Sequence, residues 1–208
     1  MTLNLSADEV LTTTRSVRKR LDFDKPVPRE VLTECLDIAL QAPTGSNNQG
    51  WQWVFVEDPA KKKAIADIYR TNATPYLNQP KPTLGDMRDE QRPRVEDSAR
   101  YLNDHLHEVP VMLIPCLEGK PQDAVSGASA GFWGSLLPAA WSFMLALRSR
   151  GLGSAWTTLH LLGDGERQAA DILGIPFDKY SQAGLFPIAY TKGTDFRPAK
   201  RLPAEELT

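Results

Sequence analysis

Between Asp123 and Arg148 the chain carries no charged side chain, and this run over residues 124–147 restricts the fold more than any other feature. A segment of that length can cross a bilayer or lie as a helix inside a folded protein. Gly127, Gly131, Gly134 and Pro138, with Ser126, Ser129, Ser135 and Ser142, dilute its apolar character. The reading is therefore a buried helix and not a membrane span. It is expected over residues 131–148, with Gly151-Leu-Gly153 ending it. Burying such a helix needs a core, and 208 residues at 41% hydrophobic content supply one, so a single domain over residues 1–208 is expected.

Charge excludes further classes. The 24 basic and 26 acidic side chains leave a net charge of −2, so no global field draws the protein to nucleic acid or anionic lipid. No nucleic-acid or membrane partner is expected, and any bound anion must be held by a local cluster. Cys35 and Cys116 build no disulfide framework, and residues 1–9 lack a basic stretch followed by an apolar one. A cytoplasmic location is the expectation.

Along the chain, Ser6 and Glu9 form a capping-box pair, with Leu5 and Val10 placed to staple it, so a helix is expected over residues 7–18. A second helix covers residues 31–40 and stops before Pro43. The aromatic and β-branched run 51–56 reads as a strand, and Asp58-Pro59 opens a helix reaching about Tyr69. Pro75, Pro80 and Pro82 make residues 71–83 a long surface loop or lid, and residues 86–108 a helix interrupted at Pro93. Strands are expected at 111–117, 154–158 and 185–190, with a short helix at 165–173. Strands and helices alternate without a βαβ rhythm, which predicts an α+β fold.

The chain has no G-x-G-x-x-G after a strand and no P-loop signature. His105 and His107, two apart on an expected helix, point to different faces and make a poor metal pair, and His160 stands alone. No nucleophile elbow or Cys-His arrangement is present. No catalytic side chain is therefore assigned and no metal is expected; if the protein is an enzyme, a bound cofactor carries the chemistry.

Two groups of residues are candidates for holding one. Arg15, Ser16, Arg18, Lys19 and Arg20 crowd the expected end of the first helix. They read either as cations answering the helix dipole or as a phosphate grip, with Arg15 and Arg18 sharing a helical face. The loop Ala42-Pro-Thr-Gly-Ser-Asn-Asn-Gln-Gly-Trp51 reads either as a turn rich in side-chain-to-backbone bonds or as the lining of a heterocycle's polar edge.

Taken together, Thr14-Arg15-Ser16-Val17-Arg18, Ala42-Pro43-Thr44 with Asn47, Gln49 and Trp51, Gly151-Leu-Gly-Ser-Ala-Trp156, Leu173-Gly-Ile-Pro176 and Arg201-Leu-Pro203 stand in order along the chain. In that ordered set the sequence resembles the nitroreductase-like flavoprotein family. The resemblance implies a central mixed or antiparallel sheet surrounded by helices, an intertwined homodimer, and non-covalent FMN at the subunit interface. It implies that Arg15, Ser16 and Arg201 meet the phosphate, and that Arg18 stands at the pyrimidine edge, where a fixed cation stabilises the reduced ring and raises its potential. Thr44, Asn47 and Gln49 would line the ribityl chain and ring edge. Trp156, Thr157, Thr158 and Leu159 would cover a ring face. Phe132, Trp133, Leu137, Trp141, Met144 and Leu145 would be buried by dimerisation, core packing within one subunit being the alternative.

The implied activity is NAD(P)H oxidoreduction with NADH or NADPH as donor and a small-molecule acceptor such as a nitroaromatic or quinone, by ping-pong hydride transfer. An oxidase or dehydrogenase on another organic substrate, or a non-catalytic flavin binder, are the alternatives. Thr14, Arg20, Gly50 and Thr158-Leu159 depart from the family pattern.

Overall fold

A computed structural model describes residues 2–121 and 127–208. Residues 124–126, the start of the uncharged run, lie outside the described residues.

The apolar run Val111–Glu118 forms the central strand, β3 in a set comprising β1 (Leu21–Asp22), β2 (Trp51–Val56), β4 (Leu152–Ser154), β5 (Tyr180–Gln182) and β6 (Phe186–Thr191). The order is β1-β6-β3-β2, with β4 also on β6 and β5 also on β3, and every strand pairing is antiparallel. Trp51 opposes Leu117 and Val56 opposes Met112 in the longest ladder.

β3 is apolar at successive positions because both of its faces are covered. Met112, Ile114 and Cys116 meet α3 (Pro59–Asn78), α4 (Met87–His105) and α7 (Gly165–Leu173) through Ile65, Ala66, Leu102 and Ala169. Val111 and Leu113 meet α2 (Arg29–Ala39) and α6 (Leu137–Ser149) through Leu32, Cys35, Phe143 and Leu147. This is the α+β arrangement expected: a sheet between two helical layers.

Several expected boundaries are corrected. The first helix, α1 (Ala7–Thr13), has its capping box, with Ser6 N–H donating to Glu9 at 2.7 Å, yet ends well before Arg18. The hydroxyls of Thr12, Thr13 and Thr14 donate to carbonyls four residues back, and β-branched threonines hold a helix poorly. Arg15 and Arg18 therefore share no helical face. α3 runs on through Pro75 to Asn78, so most of the expected 71–83 loop is helix; buried Ala73 and Leu77 offset the hydrogen bond lost at Pro75. The expected strand at 154–158 lies earlier, at β4, and of its later residues Thr157 makes an isolated bridge to Leu185. The short strands β1 and β5 were not foreseen.

The uncharged run is also divided. α5 (Ala128–Gly134) stops at Ser135, and α6 begins with Pro138 in its first turn. Residues 128–149 are long and apolar enough to cross a membrane by length and composition. α6 is instead turned into the core by Ala140, Phe143, Met144 and Leu147. Met144 is thus buried within one subunit, as the core-packing alternative required.

Candidate functional site

The basic run leaves α1 as extended chain. Ser16 bridges in parallel to Ser154, and Val17 N–H donates to the Ser154 carbonyl at 2.8 Å. This approach requires Gly153: a Cβ there would stand 2.7 Å from Thr191 and 2.9 Å from Val17. The cations of the run then part company. Lys19 pairs with Asp97, and Arg20 with Asp195 at 2.5 Å. Arg15 and Arg18 meet no carboxylate among the described residues. Arg18 donates to Ser98 Oγ at 3.3 Å, and burial lowers its pKa. Burial lowers that of Arg15 too, followed by the charges of Arg201 and Arg94. Arg15, near the start of the chain, thus feels the charge of Arg201, near its end.

The loop after α2 is held in an uncommon backbone. Ser46, Asn47 and Gln49 have φ of 52°, 54° and 50°, left-handed values that cost non-glycine residues on the order of 1–3 kcal/mol each. Gln49 N–H donates to Thr44 Oγ1 at 3.3 Å, and Gln49 Nε2 donates to Asn47 Oδ1 at 3.0 Å. Gly45 N–H donates to Ser135 Oγ at 3.0 Å, and that hydroxyl donates to the Gly131 carbonyl at 2.8 Å. The loop is therefore docked on the break between α5 and α6, with Asn47 and Gln49 exposed.

The segment after β4 is fixed from beneath. Trp156 Nε1 donates to the Ala183 carbonyl at 3.1 Å and its ring packs on Phe186, so this side chain faces the core. Thr157 exchanges backbone hydrogen bonds with Leu185 and donates through its hydroxyl to Tyr69 at 3.4 Å. Burial raises the pKa of Tyr69, which keeps its phenol neutral. Thr158 is exposed, and Leu159 packs against the core layer of α3 and α7. His160, fully buried beside Gln182 with Nε2 and Oε1 3.2 Å apart, is pushed by burial to about 4 and is neutral.

Arg18 thus meets α4 through Ser98, Thr157 meets α3 through Tyr69, and Arg201 faces α4 across a cavity, while Ser16 lies against β4. No hydrogen bond or ion pair joins them to Thr44, Asn47 or Gln49 among the described residues. Sequence reasoning missed Tyr69, which receives the Thr157 hydroxyl, and Ser98, which receives Arg18; the spacing of Ser98 and Tyr101 on one face of a helix was the available signal. Beside Arg201, a cavity of about 350 Å³ opens between Met87, Gln91 and Val95 of α4 and Leu202 and Leu207 of the C-terminal segment. No group of three or more His, Cys, Asp or Glu able to hold a metal ion occurs among the described residues.

The family model for the nitroreductase family matches residues 11–190. The chain belongs to the nitroreductase family. Its members are oxidoreductases, and a similar relative is the NADH dehydrogenase of Thermus thermophilus, 28% identical over 207 residues, covering 93% of this chain and 90% of the relative. An FMN- and NADPH-dependent nitroreductase from Sphigopyxis sp. strain HMH shares the fold with a TM-score of 0.70 at 23% identity, over 98% of each chain. So does an iodotyrosine deiodinase solved with FMN and 3-iodo-L-tyrosine, with a TM-score of 0.71 at 23% identity over 94% of each chain. The nitroreductase-like architecture expected from the sequence is therefore the one observed, with the sheet antiparallel throughout its strand pairings.

Proposed function

We propose that this chain is a single-domain FMN-dependent NAD(P)H oxidoreductase, cytoplasmic and homodimeric, that reduces nitroaromatic or quinone-like acceptors by ping-pong hydride transfer. One observation carries the reading: Arg15 is partly desolvated, feels the positive charge of Arg201, and has no carboxylate in ion-pair range among the described residues. Guanidinium groups without a carboxylate partner suit a dianion, and Ser16, exposed, follows Arg15 directly in the chain. The donor set therefore fits the phosphate of FMN.

Bound there, FMN supplies two-electron chemistry, accepting hydride from NADH or NADPH and passing it to the acceptor in a second half-reaction. The chain's own residues bind and tune. Arg18, desolvated and paired with no acid among the described residues, sets a positive field at the ring's pyrimidine edge. Thr44, Asn47 and Gln49 offer hydroxyl and amide groups to the ribityl chain and ring edge. Thr157, held by Tyr69, fixes the segment through Trp156, Thr158 and Leu159 against one ring face, the Trp156 ring serving as its anchor in the core.

Two features support a homodimer. Among the described residues the loop of Thr44, Asn47 and Gln49 makes no hydrogen bond to the arginines of its own subunit, and it sits beside a partly exposed apolar face. That face comprises Phe132, Trp133, Leu137 and Trp141, the last 39% exposed. Pairing two copies through it would cover the face and bring a loop to a partner's arginines.

The visible spectrum of freshly purified protein tests the cofactor, and a preparation that stays colourless after incubation with excess FMN would reject it. Anaerobic mixing with NADH or NADPH should bleach the flavin, and a nitroaromatic should restore it faster than it reoxidises free flavin. A flavin that nicotinamide never reduces would reject the donor.

A further inference from the structure

Arg148 stands in the last turn of α6 at 5% exposure, more enclosed than any other charged side chain among the described residues. Two of its nitrogens are engaged. Nε and Nη2 donate to Thr13 Oγ1 at 3.2 and 3.1 Å, and Nη2 also donates to the Thr194 carbonyl at 3.1 Å. The Phe196 ring covers the guanidinium, its centroid 5.0 Å from the central carbon. Nη1 is buried and has no partner among the described residues.

A second unmet group belongs to the same place. Ser154 in β4 is 3% exposed, and its Oγ has no partner either. Both residues line a cavity of about 10 Å³ whose other walls include Thr14, Arg15, Met144 and Phe196. Leaving a buried polar group unmet costs about 1–3 kcal/mol, so two that share one cavity point to an occupant that answers both.

The charge of Arg148 selects that occupant. No carboxylate stands in ion-pair range of it among the described residues; Glu9, whose charge reaches it, is exposed and takes the Ser6 N–H. Arg20 adds a like charge, which its own pair with Asp195 offsets. A water would satisfy the two hydrogen bonds and leave the buried cation unneutralised, which is the costly part. A space on the scale of one water has no room for a phosphate or a carboxylate-bearing molecule. A monatomic anion fits, accepting from Nη1 and from the Ser154 hydroxyl, which rotates to donate.

We infer that Arg148 and Ser154 form a buried site for a single halide ion, chloride being the common one. The ion joins four stretches of chain: the end of α1 through Thr13, the end of α6, β4, and the segment after β6 through Thr194 and Phe196. The site is distinct from the cofactor reading, since it excludes a phosphate by size and is tested with FMN present.

Crystals of the full-length protein grown with excess FMN and soaked in sodium bromide are expected to show an anomalous peak between Arg148 Nη1 and Ser154 Oγ. A water in that position without anomalous signal, or bromide only at Arg15 or Arg201, overturns the site. Thermal melts at matched ionic strength supply the second readout. Chloride or bromide at about ten times Kd should raise the wild-type Tm by about 3 °C over gluconate. S154A removes a hydroxyl and keeps the packing, so it should fold and lose most of that increment. R148M should lose all of it, and S154A decides the matter should R148M not fold. No increment over gluconate in wild type, or one equal in wild type and S154A, overturns the proposal.

Discussion

Arg15 and Arg18 differ from Lys19 and Arg20 in one respect that matters at the scale of single residues: among the described residues the latter two have acid partners and the former two do not. Arg15→Ala is expected to lower FMN affinity by about 1.5–3 kcal/mol, the range of a hydrogen bond to a charged group, as read by equilibrium titration. Arg18→Ala should lower the flavin reduction potential more than it releases the cofactor, because a desolvated cation acts on the charge of the reduced ring; a potentiometric titration with no shift would exclude that role. Residue type and order named Arg15, Arg18 and Arg201 as candidates. Which cations were already neutralised was not legible, because the deciding acids lie far away in sequence, 78 positions for Lys19 and 175 for Arg20.

At the scale of elements, local signals held where they were strong and failed where packing overrode them. The capping box at Ser6 and Glu9, the strand Trp51–Val56 and the cap at Asp58 are all found, since each depends on neighbours in sequence. Pro75 misled because the burial of Ala73 and Leu77 outweighs one missing hydrogen bond, and that burial is a tertiary fact. The break between α5 and α6 gives Ser135 its function as a peg for the loop carrying Thr44, Asn47 and Gln49. Ser135→Ala removes an acceptor from Gly45 and should cost about 1 kcal/mol of loop stability, seen as faster amide exchange at Gly45 and weaker FMN binding with the fold retained.

For the whole molecule, the buried His160 links stability to pH. Its folded pKa, about 4, lies below the ordinary value of 6.5, so the unfolded chain takes up a proton that the native state refuses as pH falls through that window. Stability is therefore complete above the upper limit and declines toward the lower one, by up to about 3 kcal/mol. His160→Gln should flatten that part of the profile in urea melts between about pH 7 and about pH 4. Association is a second property at this scale: Trp141→Asp places a charge on the partly exposed apolar face and should shift sedimentation toward a monomer that retains flavin poorly. A stable monomer loaded with FMN would exclude an interfacial site.

The left-handed stretch at Ser46, Asn47 and Gln49 bears on how fast, as well as how tightly, a ligand is taken up. A loop already pinned in its costly shape by Ser135 gives up little freedom on capture, so encounter and not rearrangement sets the pace. Stopped-flow mixing would then record one exponential whose rate climbs in proportion to ligand concentration without levelling off.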